Sequence, residues 1–168
     1  MKTLLRTLLM LALIVWLGAE LFFPVVAATT FSTLQGNTHT AGTIVGQLLR
    51  ILHGIGLVSG MVALALLALA PAWHVYRPKS TWAPMIAVLA MIACTAYSQF
   101  LIIPQMERDR IAAGGAIDTT DKQNPLTQDF DRLHHRSTNV EGAVMLFGLI
   151  AVVFVARAET VRSEAAPA

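Results

Sequence analysis

A chain of 168 residues that is 55% hydrophobic and only 13% charged, with a mean hydropathy of +0.63, has too little polar surface for a soluble domain, where about 25% of residues carry charge. The bilayer is therefore its expected solvent, and one domain is expected at this length. The net charge of +2 gives no footing for nucleic acid, and the single cysteine, Cys94, excludes an intramolecular disulfide and a Cys-based zinc site.

The first apolar run, Leu4 to Val26, is broken only by Arg6 and Glu20. About 20 apolar residues cross the hydrocarbon core, so a first span is expected over residues 4–28. A signal peptide is the rival reading, with Lys2 and Arg6 as its basic end and Val25-Val26-Ala27 as a weak cleavage site. Pro24 is expected to kink the helix near its end. The stretch 32–43 has no charge and reads as a turn around Gln35-Gly36-Asn37-Thr38-His39, which returns the chain antiparallel.

A second span is expected over 44–70. Gly42 and Gly46 are four apart, as are Gly56 and Gly60, a spacing that lets helices approach closely and offers a surface for a homo-oligomer. Gln47, Arg50 and His53 fall three apart and form a polar stripe. The connection Pro71 to Pro84 holds Trp73, His74, Tyr76, Arg77, Lys79 and Trp82, a mixture that marks a membrane–water interface. A third span follows over 83–103, with Tyr97, Ser98 and Gln99 near its far end.

The segment 104–136 carries five basic and six acidic residues and reads as a polar loop, with Gly114-Gly115 and Asn124-Pro125 as punctuation. Its two ends, Gln105 to Ala113 and Leu126 to Arg136, can extend the neighbouring helices into water. The fourth span is expected over 137–156, with Glu141 its only charge. The fold class is thus an all-α integral membrane protein, an antiparallel four-helix transmembrane bundle.

Four spans put both termini on one side. Basic residues divide six against six between the two sides, Arg50 counted with the long loop. Their density around Lys2 and Arg6 favours cytoplasmic termini, and the compact loops favour a bacterial inner membrane. Measured from the loops at 32–43 and 104–136, Glu20 and His53 both lie roughly 15 Å deep. Tyr97 and Gln99 sit near the same end of the third span, and Asn139 and Glu141 near the same end of the fourth. The intramembrane polar groups therefore gather in one half of the membrane, with His134 and Ser137 at its rim. Intramembrane charges cost about 2.5–3.5 kcal/mol each and normally pair inside the bundle. Glu20 with Arg50 or His53 is the expected pairing. Such a cluster either fixes helix register or lines a polar cavity for a proton, a metal or a small ligand.

The order Gly18-Ala19-Glu20-Leu21-Phe22-Phe23, Phe31, Ala41-Gly42-Thr43-Ile44-Val45-Gly46 and then Phe130-Asp131-Arg132-Leu133-His134-His135-Arg136-Ser137 resembles the transmembrane-protein-205-like family, also called domain of unknown function 4149. Ala28 stands where the family pattern has a proline. The resemblance implies an integral membrane domain of unassigned activity.

The leading expectation is a non-enzymatic membrane protein that binds a small ligand or partner through its polar half, since no nucleophile–base or phosphate-loop motif is present. One alternative is a haem-b or metal-binding redox protein, with His53 and His134 or His135 as axial ligands and Met145 as a further soft ligand. Another is a component of an oligomeric transporter.

Overall fold

A computed structural model describes residues 2–114, 117 and 120–163, with side chains as far as 158. Gly115, Asp118 and the side chain of Arg162, which enter the loop and charge readings above, lie outside the described residues. The helices are α1 (Lys2–Thr33), α2 (Thr38–Leu69), α3 (Pro78–Tyr97), α4 (Ile103–Ala112) and α5 (Pro125–Ser163). A π-helical turn, Ser98–Ile102, joins α3 to α4 so that the two run on as one long rod. Four rods are long and apolar enough to cross a membrane. They form an antiparallel bundle, and the protein is an integral, multi-pass membrane protein in contact with the lipid bilayer. Large apolar side chains such as Leu4, Ile14, Phe22, Val58, Ile86 and Phe100 are exposed on its outside, where lipid takes the place of water.

The helices outrun the expected spans by one to three turns. At the first turn the chain needs only Leu34 to Asn37: Gly36 supplies a left-handed φ of 89°. The Asn37 side chain then caps α2 by accepting the Thr40 amide at 3.0 Å. The polar loop shrinks in the same way. Asn124 Oδ1 accepts the Leu126 amide at 2.9 Å, and Pro125 fits the first helical position because its missing N–H has no partner there. Helix α5 therefore starts twelve residues before Ser137. The connection expected to run to Pro84 ends at Arg77, because Pro78 likewise opens α3.

In the ring of helices α1 packs on α2, α2 on α3, and α3 on α5, with a lighter α1–α5 contact closing it. Helices α2 and α5 thus face each other across the bundle. The half nearest the termini is an aliphatic core built on Leu5, Leu9, Leu13, Leu67, Val88 and Val155. Tyr76, expected at the interface, is buried in this core, with the Arg6 guanidinium 5.7 Å from its ring centroid. The cation over the ring face compensates for drawing the tyrosine inward.

Trp16 fills the middle layer with Met91 and Val144 and is fully buried. A Cβ on Gly56 would fall 2.4 Å from Trp16 Nε1, and one on Gly60 2.5 Å from Trp16 Cζ3. These two glycines form the notch that receives the indole, so they serve packing within the chain and not a second copy. Nothing lies within 4 Å of the corresponding positions on Gly42 and Gly46.

Candidate functional site

The polar half begins directly beyond Trp16. One turn along α1 from Trp16 lies Glu20, 2% exposed, whose Oε1 accepts the Trp16 Nε1–H at 3.2 Å. Pro24 stands four residues further on within α1. Having no N–H, it leaves the Glu20 main-chain carbonyl without its helical donor, so Glu20 is polar in both side chain and backbone.

His53 on α2 is the hub. It is wholly buried, and both ring nitrogens are engaged: Nδ1 with Gln99 Oε1 at 3.0 Å and Nε2 with Glu141 Oε1 at 2.9 Å. The same Glu141 oxygen accepts the Ser98 hydroxyl at 3.0 Å, and Ser98 Oγ lies 3.5 Å from Ser137 Oγ. His53 thus ties α2 to α5 across the bundle, and Ser98 and Gln99 join from the π turn. Glu20 stands within electrostatic reach of both His53 and Glu141.

The π turn has a local cause. In a regular α-helix the ring of Pro104 would collide with the carbonyl of Phe100. The wider turn relieves this, and Ile103 N–H reaches back five residues to Ser98 O. π turns of this kind recur at functional sites. Here the turn itself supplies Ser98 and Gln99, the two residues that reach Glu141 and His53.

A neutral imidazole offers one donor and one acceptor. Here both nitrogens face oxygen atoms. Three proton arrangements satisfy this geometry: a doubly protonated ring, a turned Gln99 amide that donates to Nδ1, or a protonated Glu141 that donates to Nε2. Two buried oxygens, Glu141 Oε2 and Thr95 Oγ1, have no hydrogen-bond partner. Thr95 is one turn from Ser98 on α3, so unspent bonding capacity lies on both elements that meet here.

The other expected site residues stand apart. Arg50 is exposed and lies within electrostatic reach of Glu107 on α4. It does not pair with Glu20, because one turn of α2 towards the loop carries it out of the bundle. His53 does not pair with Glu20 either; Glu20 bonds Trp16 in its place. Tyr97 Oη accepts Arg136 Nη1 at 3.3 Å on the surface. Asn139 and His134 are exposed on α5, and the His134 and His135 rings are tilted against each other at 6.2 Å. Among the described residues no group of three or more His, Cys, Asp or Glu side chains is placed to hold a metal ion. Met145 is half-buried one turn below Glu141.

Trp16 and Ser98 enter the cluster without having been singled out as site residues. The signal for Trp16 was its i, i+4 spacing to Glu20. The signal for Ser98 was its place next to Gln99 and six residues before Pro104.

These contacts fix an expected result. Glu20→Leu strands the buried Trp16 N–H and is expected to cost about 1–3 kcal/mol. Glu20→Gln keeps an oxygen acceptor and is expected to cost less. Arg50→Ala is expected to leave the midpoint unchanged. Thermal unfolding in detergent reads all three, and an Arg50→Ala loss equal to that of Glu20→Leu would restore the Glu20–Arg50 pairing.

No curated protein and no solved structure matches the chain. A family model, described as "Domain of unknown function (DUF4149)", matches residues 11–111. The matched part takes in Trp16, Glu20, His53, Ser98 and Gln99, and stops before Ser137 and Glu141. With more than half of its length matched, the chain belongs to the family defined by this domain of unknown function, DUF4149.

Proposed function

We propose that this integral membrane protein binds and exchanges a proton in the polar half of its bundle, with His53 as the hub and Glu141 as its carboxylate partner. The observation that carries the proposal is the buried ring with an oxygen on each side: Gln99 at 3.0 Å and Glu141 at 2.9 Å. The proton arrangements that satisfy this contact differ in net protonation and in the Gln99 amide orientation. Moving between them needs a proton to shift along the 2.9 Å His53–Glu141 contact, a proton to enter or leave, or the Gln99 amide to flip. Ionisable groups inside a membrane commonly mark proton relays. The cluster bonds to itself through contacts of 3.5 Å or less, which suits a proton better than a molecule.

The test is infrared difference spectroscopy on reconstituted protein between about pH 4 and pH 9, the range in which carboxyl and imidazole groups ordinarily titrate. A carboxyl band that changes with pH is expected, lost in Glu141→Gln and displaced in His53→Gln. A pH difference spectrum left unchanged by both Glu141→Gln and His53→Gln would overturn the reading.

The narrower kinship with transmembrane-protein-205-like proteins, a bacterial inner-membrane location and cytoplasmic termini belong to the same proposal. They rest on the residue order quoted above and on the dense basic residues near the termini. The haem-b alternative requires His53 to release Gln99 or Glu141 and requires exposed His134 to turn inward.

A further inference from the structure

The opposite end of the bundle carries a second feature, independent of the polar cluster. Where α3 begins and α5 ends, a cleft of about 200 Å³ is lined by Arg77, Lys79, Ser80 and Arg157 above and by Ala83 and Phe154 below. A second, apolar groove of about 310 Å³ is lined by Leu149, Ile150, Val153, Phe154 and Arg157. The two share Phe154 and Arg157, so they adjoin along α5 as a depression whose cleft is cationic and whose groove is apolar.

Three observations define what fits it. Arg77, Lys79 and Arg157 are all exposed, and none makes an ion pair with another described residue. Among the described residues no acidic side chain lines either part, so none of these would receive a choline or ethanolamine group. Trp82, 65% exposed, flanks Ala83, and Trp73 is exposed on the preceding connection. Exposed tryptophans beside Arg and Lys place the mouth at headgroup depth. From Arg157 back to Leu149 is eight residues, about 12 Å along α5. That is most of the thickness of one hydrocarbon leaflet, about 15 Å.

We propose that this depression binds one anionic phospholipid, its phosphate held by Arg77, Lys79 and Arg157 and one acyl chain lying along Leu149, Val153 and Phe154. The first turn of α3 supports the same sign of charge. Arg77 caps it without any side-chain hydrogen bond, which leaves the Lys79 amide at the positive end of the helix. Basic pockets between transmembrane helices hold anionic headgroups by this combination of charge and depth.

The test uses the full chain, purified in a neutral detergent and examined by native mass spectrometry. The added probes are dioleoyl phosphatidylglycerol, dioleoyl phosphatidylcholine or inorganic phosphate. One phosphatidylglycerol per chain is expected to be retained, at least roughly fivefold more strongly than phosphatidylcholine. Arg157→Gln is expected to weaken retention by about fivefold, and Arg77→Gln/Lys79→Gln/Arg157→Gln to abolish the preference. These side chains are exposed, so the variants should fold. Val153→Trp fills the groove without altering charge and should also reduce phosphatidylglycerol retention. Equal retention of the two lipids would overturn the proposal, as would retention unchanged in the triple variant. Displacement of phosphatidylglycerol by equimolar phosphate would overturn a lipid occupant.

Discussion

Gly60→Val is expected to lower the unfolding midpoint of the detergent-solubilised protein and to loosen α1 from α2. The position has no free volume: even a methyl group would meet Trp16 Cζ3 at 2.5 Å and Ile92 Cγ1 at 2.8 Å. The indole cannot retreat easily. It is fully buried, its N–H is held by Glu20, and Gly56 contacts its other edge. Overpacking a filled core costs about 1–3 kcal/mol, occasionally more. Lipid offers no compensating hydrophobic drive between helices, so close packing carries much of their association. Gly54→Ala is the control. Nothing lies within 4 Å of that position, and alanine is the better helix former by about 1 kcal/mol, so its midpoint should hold or rise. The mechanism is specific to Trp16. In a Trp16→Leu background the Gly60→Val penalty should shrink, since contacting residues are non-additive. An equal penalty in both backgrounds would remove Trp16 from the explanation.

The four spans were legible because each is a long apolar run, and crossing a bilayer requires little more than length and hydropathy. The gathering of Glu20, His53, Gln99 and Glu141 in one half of the bundle was legible too, since helical rise converts sequence distance into depth. Pairing was not, because partners at equal depth are chosen by helix rotation. Arg50 and His53 are three residues apart on one helix, yet one faces out and the other is wholly buried. The rotation of α1 follows from Trp16 seating against Gly56 and Gly60, a contact between segments forty residues apart. The small-residue spacing was visible, but a lone chain does not say whether such a notch receives its own side chain or another copy. The helical extensions on both sides of the polar loop were legible as well, and α4 over Ile103–Ala112 and the start of α5 at Pro125 match them; only the span limits drawn from the apolar runs stop short, because these turns are polar.

A double-mutant cycle across His53 and Glu141 is expected to show strong coupling. His53→Leu removes the group that bridges α2 and α5. It leaves Glu141 with Ser98 as its remaining partner on Oε1 and with Oε2 unbonded. With Glu141 ionised, breaking the pair from this side costs up to about 3–5 kcal/mol, the figure for a fully buried pair, whereas the Glu141 side chain is 17% exposed. Glu141→Leu leaves a buried imidazole nitrogen and the Ser98 hydroxyl short of an acceptor, a loss of about 1–3 kcal/mol. His53→Leu/Glu141→Leu removes both polar partners together, and replacing a buried pair with apolar groups is often close to neutral. The double variant should therefore be more stable than His53→Leu alone. Unfolding in detergent measures each corner, and simple additivity would mean that the 2.9 Å contact carries no energy of its own. The cycle also separates two roles for the cluster. If its purpose is to fix helix register, the double variant should lose order along with its bonds. If its purpose is to hold a proton, the double variant should fold while the carboxyl titration disappears. The second outcome is the expected one, since Trp16 seated on Gly56 and Gly60 and the aliphatic core of Leu5, Leu9, Leu67 and Val155 also join α1, α2 and α5.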